Sequence, residues 1–152
     1  MDYLFEPVPA TEAVDFLRRK VPMRAEDWKK LPAELQALAF TVSGIEAADA
    51  LQEIRDLVSE FPAGERFEDV QKRVAKALAK HVPSDQLDPN ATPEERKKQM
   101  DKLMARAGGI IRHHGTQAYA MITHADLEEN ADIFPYWKYL TVGDGHVRSS
   151  HR

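Results

Sequence analysis

The chain has 152 residues, no cysteine, a formal net charge of −4, 43% hydrophobic residues and 30% charged residues. This composition excludes an unfolded, highly charged chain, a disulfide framework, a thiolate metal site and a globally basic nucleic-acid binder. No apolar run approaches the length that crosses a bilayer, and the acidic start "MDYLFEPVPATEAVDF" lacks the basic-then-apolar pattern of a signal peptide.

The segment "ATEAVDFLRRKV" places Ala10, Val14, Leu17 and Val21 at helical spacing, with Thr11 as the expected N-cap. Its basic end, Arg18, Arg19 and Lys20, suits the negative pole of the helix dipole, and Pro22 stops it. A short helical turn is expected in "RAEDWKKLP". The stretch "AELQALAFTVSGIEAADALQEIRDLVSEF" reads as two helices broken near Gly44, the second opened by a Ser43–Glu46 capping box. Ile45, Ala48, Leu51, Ile54, Val58 and Phe61 then form one face, and Pro62 and Gly64 end it. In "RFEDVQKRVAKALAKHV", Phe67, Val70, Val74 and Leu78 share a face.

A polar, proline-bearing linker follows, and then "TPEERKKQM". Thr92 caps this helix, Pro93 occupies its first position, and Glu95 completes a capping box. The expected apolar face is Met100, Leu103, Ala107, Ile110 and His114. Gly108 and Gly109 interrupt it at a cost of about 1 kcal/mol each relative to alanine, which predicts a kink or a close helix contact. From Tyr136 the period changes to two: Tyr136, Lys138, Leu140 and Val142 face one way, and Trp137, Tyr139 and Thr141 the other. Gly143-Asp144-Gly145 then turns the chain. The fold class is mainly α with a small C-terminal β element (α+β). Residues 1–82 form a helical region, 83–92 a linker, and 93–152 a long helix with a strand and turn, within one domain.

Three constellations could carry chemistry. Asp144, His146 and His151 are competent metal ligands, although their spacing matches no known metal motif; the competing reading is a turn former with hydrogen-bonding histidines. His113 and His114 are adjacent on a helix, so they point to different sides and cannot chelate together. Lys98, Lys102 and Arg106 align at four-residue spacing with Arg112 beyond them. Glu94, Glu95 and Asp101 interrupt this stripe, which reads as a solvated, ion-paired helix more readily than as a DNA surface. No nucleophile motif or phosphate loop is present, and Ser149, Ser150 and His151 are adjacent residues without the fixed geometry catalysis needs. No enzymatic activity and no cofactor are expected.

"AFTVSGI" (39–45), "IIRHHGTQAYA" (110–120) and "PYWKYLTVGDGHVRSSH" (135–151) together resemble the phage Mu F-like head morphogenesis family. The sharpest part is the aromatic strand followed by Asp and Val-Arg-x-x-His, matched by Tyr136, Trp137, Tyr139, Asp144, Val147, Arg148 and His151. Arg112 and Tyr119 match the motif upstream. His146 stands where family members often carry a basic residue, and members usually continue through a second β segment to a cysteine-containing stretch. The end of this chain is therefore expected to be a motif cut in the middle, by a truncated gene or a shortened version of the protein. The resemblance implies a structural role for the matched residues, and a minor capsid protein that acts in head assembly in the bacterial cytoplasm and resides in the virion. The implied partners are the portal and other head proteins, with contact to packaged DNA and none to membrane. An open edge on the strand "YWKYLTV" would favour self-association. Two alternatives stand beside this reading: a small metal-binding domain or metal-dependent enzyme built on Asp144, His146 and His151, and a DNA-binding accessory protein.

Overall fold

The structure is a computed structural model that describes residues 10–83 and 86–132. The chain divides into two compact units, Met1–Ile122 and Thr123–Arg152. In chain order the elements are α1 (Thr11–Arg19), β1 (Val21–Pro22), α2 (Ala25–Trp28), α3 (Ala33–Gln36), β2 (Ala39–Phe40), α4 (Ala48–Ser59), α5 (Phe67–His81) and α6 (Pro93–Glu129). The architecture is mainly helical, as the composition and periodicities predict, and it includes a small sheet. The strand and turn expected over 136–145, with the C-terminal position of the β element, lie outside the described residues.

The sheet that is described has an origin the helical periodicity did not suggest. β1 and β2 pair in parallel, Val21 with Ala39 and Pro22 with Phe40. Val21 N donates to Leu38 O at 3.0 Å, and Met23 N donates to Phe40 O at 2.9 Å. A parallel ladder takes donors from alternate residues, so Pro22 falls where no N–H is needed. The expected helix through "AELQALAFTVSG" is thus replaced by the single turn α3 and a strand. The strand sends the Phe40 side chain fully into the core. Gly44 follows with φ of 85°, a left-handed conformation that glycine adopts without steric cost.

The Ser43–Glu46 capping box does not form. α4 begins at Ala48 with Ala47 as its cap residue, and no side chain caps it. Ile45 is buried ahead of the helix, in the turn closed by its N–H on Val42 O. Thr11 likewise is not a cap: it is the first residue of α1, and Ala10 precedes it without a side-chain bond. The Ala10 N–H instead donates to Pro62 O at 2.9 Å, which ties the start of α1 to the end of α4.

The core lies among α1, β2, α4 and α5, with α6 laid on them. Leu51, Ile54 and Val58 of α4 and Val70, Val74 and Leu78 of α5 are fully buried, at the spacing that the sequence shows. His81 at the end of α5 lies 2.6 Å from Glu53 of α4. α6 opens with the expected reciprocal cap: Thr92 N donates to Glu95 Oε2 at 2.9 Å and Glu95 N to Thr92 Oγ1 at 3.3 Å. Its buried face differs from the expected one by a small rotation. Leu103, Ala107, Ile111, His114 and Ala118 are buried, whereas Met100 is 40% exposed and Ile110 only partly buried. The first turns of α6 precede the contact with the core, so Met100 stays at the surface.

The two central glycines separate cleanly. A Cβ on Gly108 would stand 2.9 Å from Gln71 Nε2 and 3.5 Å from the Phe67 ring, so this residue permits the close approach to α5. Gln71 Nε2 uses that proximity to donate to Met104 O at 2.7 Å. Nothing lies within 4 Å of a Cβ on Gly109. Gly109→Ala should therefore stabilise the fold by up to about 1 kcal/mol in denaturant unfolding, through helix propensity. Gly108→Ala should gain little or lose stability, because it displaces the Gln71 bond. Leu103→Ala should cost about 2–5 kcal/mol by the same measurement, since its side chain is core.

Candidate functional site

The segment 110–120 lies in the middle of α6, and its helical spacing sends alternate residues into three environments. Ile111, His114, Gly115 and Ala118 enter the core. Arg112 and Tyr119 line a cleft on one flank, and His113 faces a shallow recess on the other.

The core side holds an unusual polar group. Lys20 is 2% exposed and directs its Nζ at α6. Nζ lies 3.4 Å from His114 Nδ1 and donates to Gln117 Oε1. It also lies 5.5 Å from the centre of the Phe16 ring. No carboxylate lies within ion-pair distance of it among the described residues. The backbone of Lys20 is held separately, with Arg55 Nη1 of α4 donating to its carbonyl at 2.8 Å. Because Lys20 follows the end of α1 in an extended conformation, its side chain turns into the core, and Arg18 and Arg19 are the basic residues of the last helical turn. The position of Lys20 three residues after Leu17 continues the buried face of α1, and that spacing is the signal in the sequence.

An ammonium has only hydrogens to offer, so its neighbours must be acceptors. His114 meets this as a neutral ring: Nδ1 accepts from Lys20, which leaves the ring proton on Nε2. The ring packs on Phe40 with centroids 4.3 Å apart. Burial, with smaller effects of the Lys20 and His113 charges, lowers the His114 pKa from 6.5 to about 3 against a hydrogen bond to the Thr41 backbone that opposes them. Burial likewise lowers Lys20 from 10.5 to about 8. His113, by contrast, is exposed, so the adjacent histidines face different sides as expected.

The cleft has a volume of about 300 Å³ and is lined by Phe61, Phe67, Ile111, Arg112, Gly115 and Tyr119. Phe61 and Phe67 meet edge to face, with centroids 5.5 Å apart. The Arg112 guanidinium lies over the Phe67 ring at 4.9 Å, a cation–π arrangement that holds it at the rim. No carboxylate pairs with Arg112 among the described residues. Tyr119, one of the residues matched to the head-protein motif, is 45% exposed at the same cleft. The structure thus brings Arg112 and Tyr119 together. Tyr136, Trp137, Tyr139, Asp144, Val147, Arg148 and His151, and with them the metal candidates Asp144, His146 and His151, lie outside the described residues. Among the described residues no group of three or more His, Asp or Glu side chains could hold a metal ion, and no helix is long and apolar enough to cross a membrane. Of the basic stripe, Lys98 and Lys102 are exposed, while Arg106 donates to the Ser43 carbonyl.

Similarity to known proteins gives these features a context. The chain is 26% identical over 157 aligned residues, 95% of its length, to the Escherichia phage Mu protein named "Putative capsid assembly protein F". It spans 33% of the length of that relative. No family model matches the chain. No solved structure matches it.

The buried pair predicts how stability follows pH. Below about 8 the folded state carries the full cost of the buried Lys20 charge. That cost falls as pH rises from about 8 towards 10.5, because folding then favours the neutral amine. Stability should therefore rise across this window by on the order of 3 kcal/mol, and Lys20→Met should abolish the rise. On the acid side, the unfolded state binds a proton at His114 below 6.5 and the folded state only near 3. Stability should fall as pH drops through that window, and the His114→Phe profile should lack this contribution. Denaturant unfolding of the three proteins across pH 3–10.5 measures both effects.

Proposed function

We propose that this chain is a phage head protein that acts in capsid assembly as a structural component without enzymatic activity. The observation that carries this reading is the similarity along 95% of the chain to the Mu capsid assembly protein. The described residues also support a binding role. Their charged and aromatic side chains line an open surface cleft on a rigid helix, an arrangement suited to holding a partner. In the finer form of the proposal, the chain associates with the portal and other head proteins, functions in genome packaging or delivery, and is carried in the virion.

The test is made in cells that produce particles encoding this chain. Heads and procapsids are separated by sedimentation and probed for the chain, and the same cells are examined after deletion of its gene. The chain should travel with procapsids and mature heads, and the deletion should leave few DNA-filled heads. Normal numbers of filled heads without the chain, or a chain that never leaves the soluble fraction, would contradict the proposal.

A further inference from the structure

The charge on α6 is distributed unlike that of the whole chain. The protein carries a net charge of −4, yet no acidic residue occurs between Asp101 and Asp126. Within that stretch Lys102, Arg106 and Arg112 are the fully charged side chains. Arg112 stands at the rim of the cleft, stacked on Phe67, with no carboxylate partner among the described residues. The cleft floor beside it is apolar and aromatic. A planar guanidinium held on a ring is already ordered, so it binds a carboxylate with little further loss of freedom. An adjoining aromatic recess that takes a side chain is the composition that dominates binding energy at protein interfaces.

We propose that the flank of α6 that bears Arg112 and Tyr119 docks an acidic polypeptide segment. The cleft takes an apolar side chain of that segment, and Arg112 takes a carboxylate beside it. This rests on the assembly reading for the existence of a protein partner, and it adds the chemistry of that partner. Charge density favours a protein over nucleic acid. Three cations spread over a helical rise of about 15 Å are far too sparse for a duplex that presents a charge about every 1.7 Å. An acidic peptide needs only one well-placed guanidinium and a pocket.

The probe is a capped peptide of alternating Glu and Ala with one central Phe, compared with the same peptide carrying Lys in place of Glu, and with a short DNA duplex. Binding to the full chain is followed by fluorescence anisotropy at low and moderate salt. The acidic peptide should bind, the Lys peptide should not, and salt should weaken the complex. Arg112→Ala should weaken binding about tenfold or more. Lys76→Ala, which removes the same charge from an exposed position on α5, should leave it unchanged. Unfolding curves of both variants confirm that they remain folded. The proposal is overturned if no peptide binds up to about 1 mM, or if binding ignores Arg112→Ala. It is also overturned if duplex DNA binds through Arg112 in place of the peptide, or if the wild type sediments as a dimer that Arg112→Ala dissociates. Head incorporation without peptide binding would sink only this inference. Peptide binding by a chain absent from heads would sink the assembly reading instead.

Discussion

Lys20 places a cation inside the core with two neutral acceptors on α6, His114 and Gln117, and the packing of the long helix depends on that contact. Leu103, Ala107, Ile111 and Ala118 seat α6 on the core by apolar packing, and the Gln71–Met104 and Arg106–Ser43 bonds add polar anchors along it. A buried ammonium does not tolerate movement of that helix, because losing either acceptor would leave it unpaired in a medium of low dielectric constant. Its position is fixed in turn from behind: Arg55 holds the Lys20 carbonyl, and β1 begins at the next residue. A polar contact between positions 20 and 114 thus adds to the packing that sets the rotation of α6. That rotation decides that Arg112 and Tyr119 meet Phe61 and Phe67, while Gly109 and His113 face outward.

Local signals in the sequence were reliable where local physics decides the outcome. Thr92, Pro93 and Glu95 open α6 as their chemistry dictates, because all the groups involved lie within one turn. The faces of α5 and of α4 from Leu51 onward follow their periodicity for the same reason, whereas Ala48, expected on the α4 face, is exposed. Ser43 and Glu46 carry an equally good capping signature and do not cap. There, Phe40 enters the core from a strand paired with β1, and that pairing directs the chain through the Gly44 turn before any helix can begin. The competing interaction lies nearly twenty residues away, where a reading of neighbouring residues does not reach. Met100 failed for a related reason: it has helical spacing, but the core it would cover starts one turn later.

The candidate site was legible only in part. Arg112 and Tyr119 emerge from the resemblance to head proteins, and their shared cleft emerges from the structure. Phe61 and Phe67, which form the opposite wall, looked like ordinary core positions of two successive helices. Lys20 was hidden by its neighbours, since a run of three basic residues at a helix end reads as a match to the helix dipole. Gly108 and Gly109 look identical in sequence, yet one admits α5 and the other borders open space. What separates them is the rotation of α6, to which the Lys20 contact contributes. The inner layer and the candidate cleft are therefore linked, because both depend on how α6 is seated.

That dependence is tested most directly by titrating the Lys20 amino group itself in the folded protein, by nitrogen-detected NMR with the signal assigned through Lys20→Arg. The buried contact predicts a midpoint near 8, well apart from the other lysines, with the His114 ring shifting in the same step. A Lys20 midpoint at 10.5, together with an unresponsive His114, would show that the amine sits in water and that α6 is seated by something else.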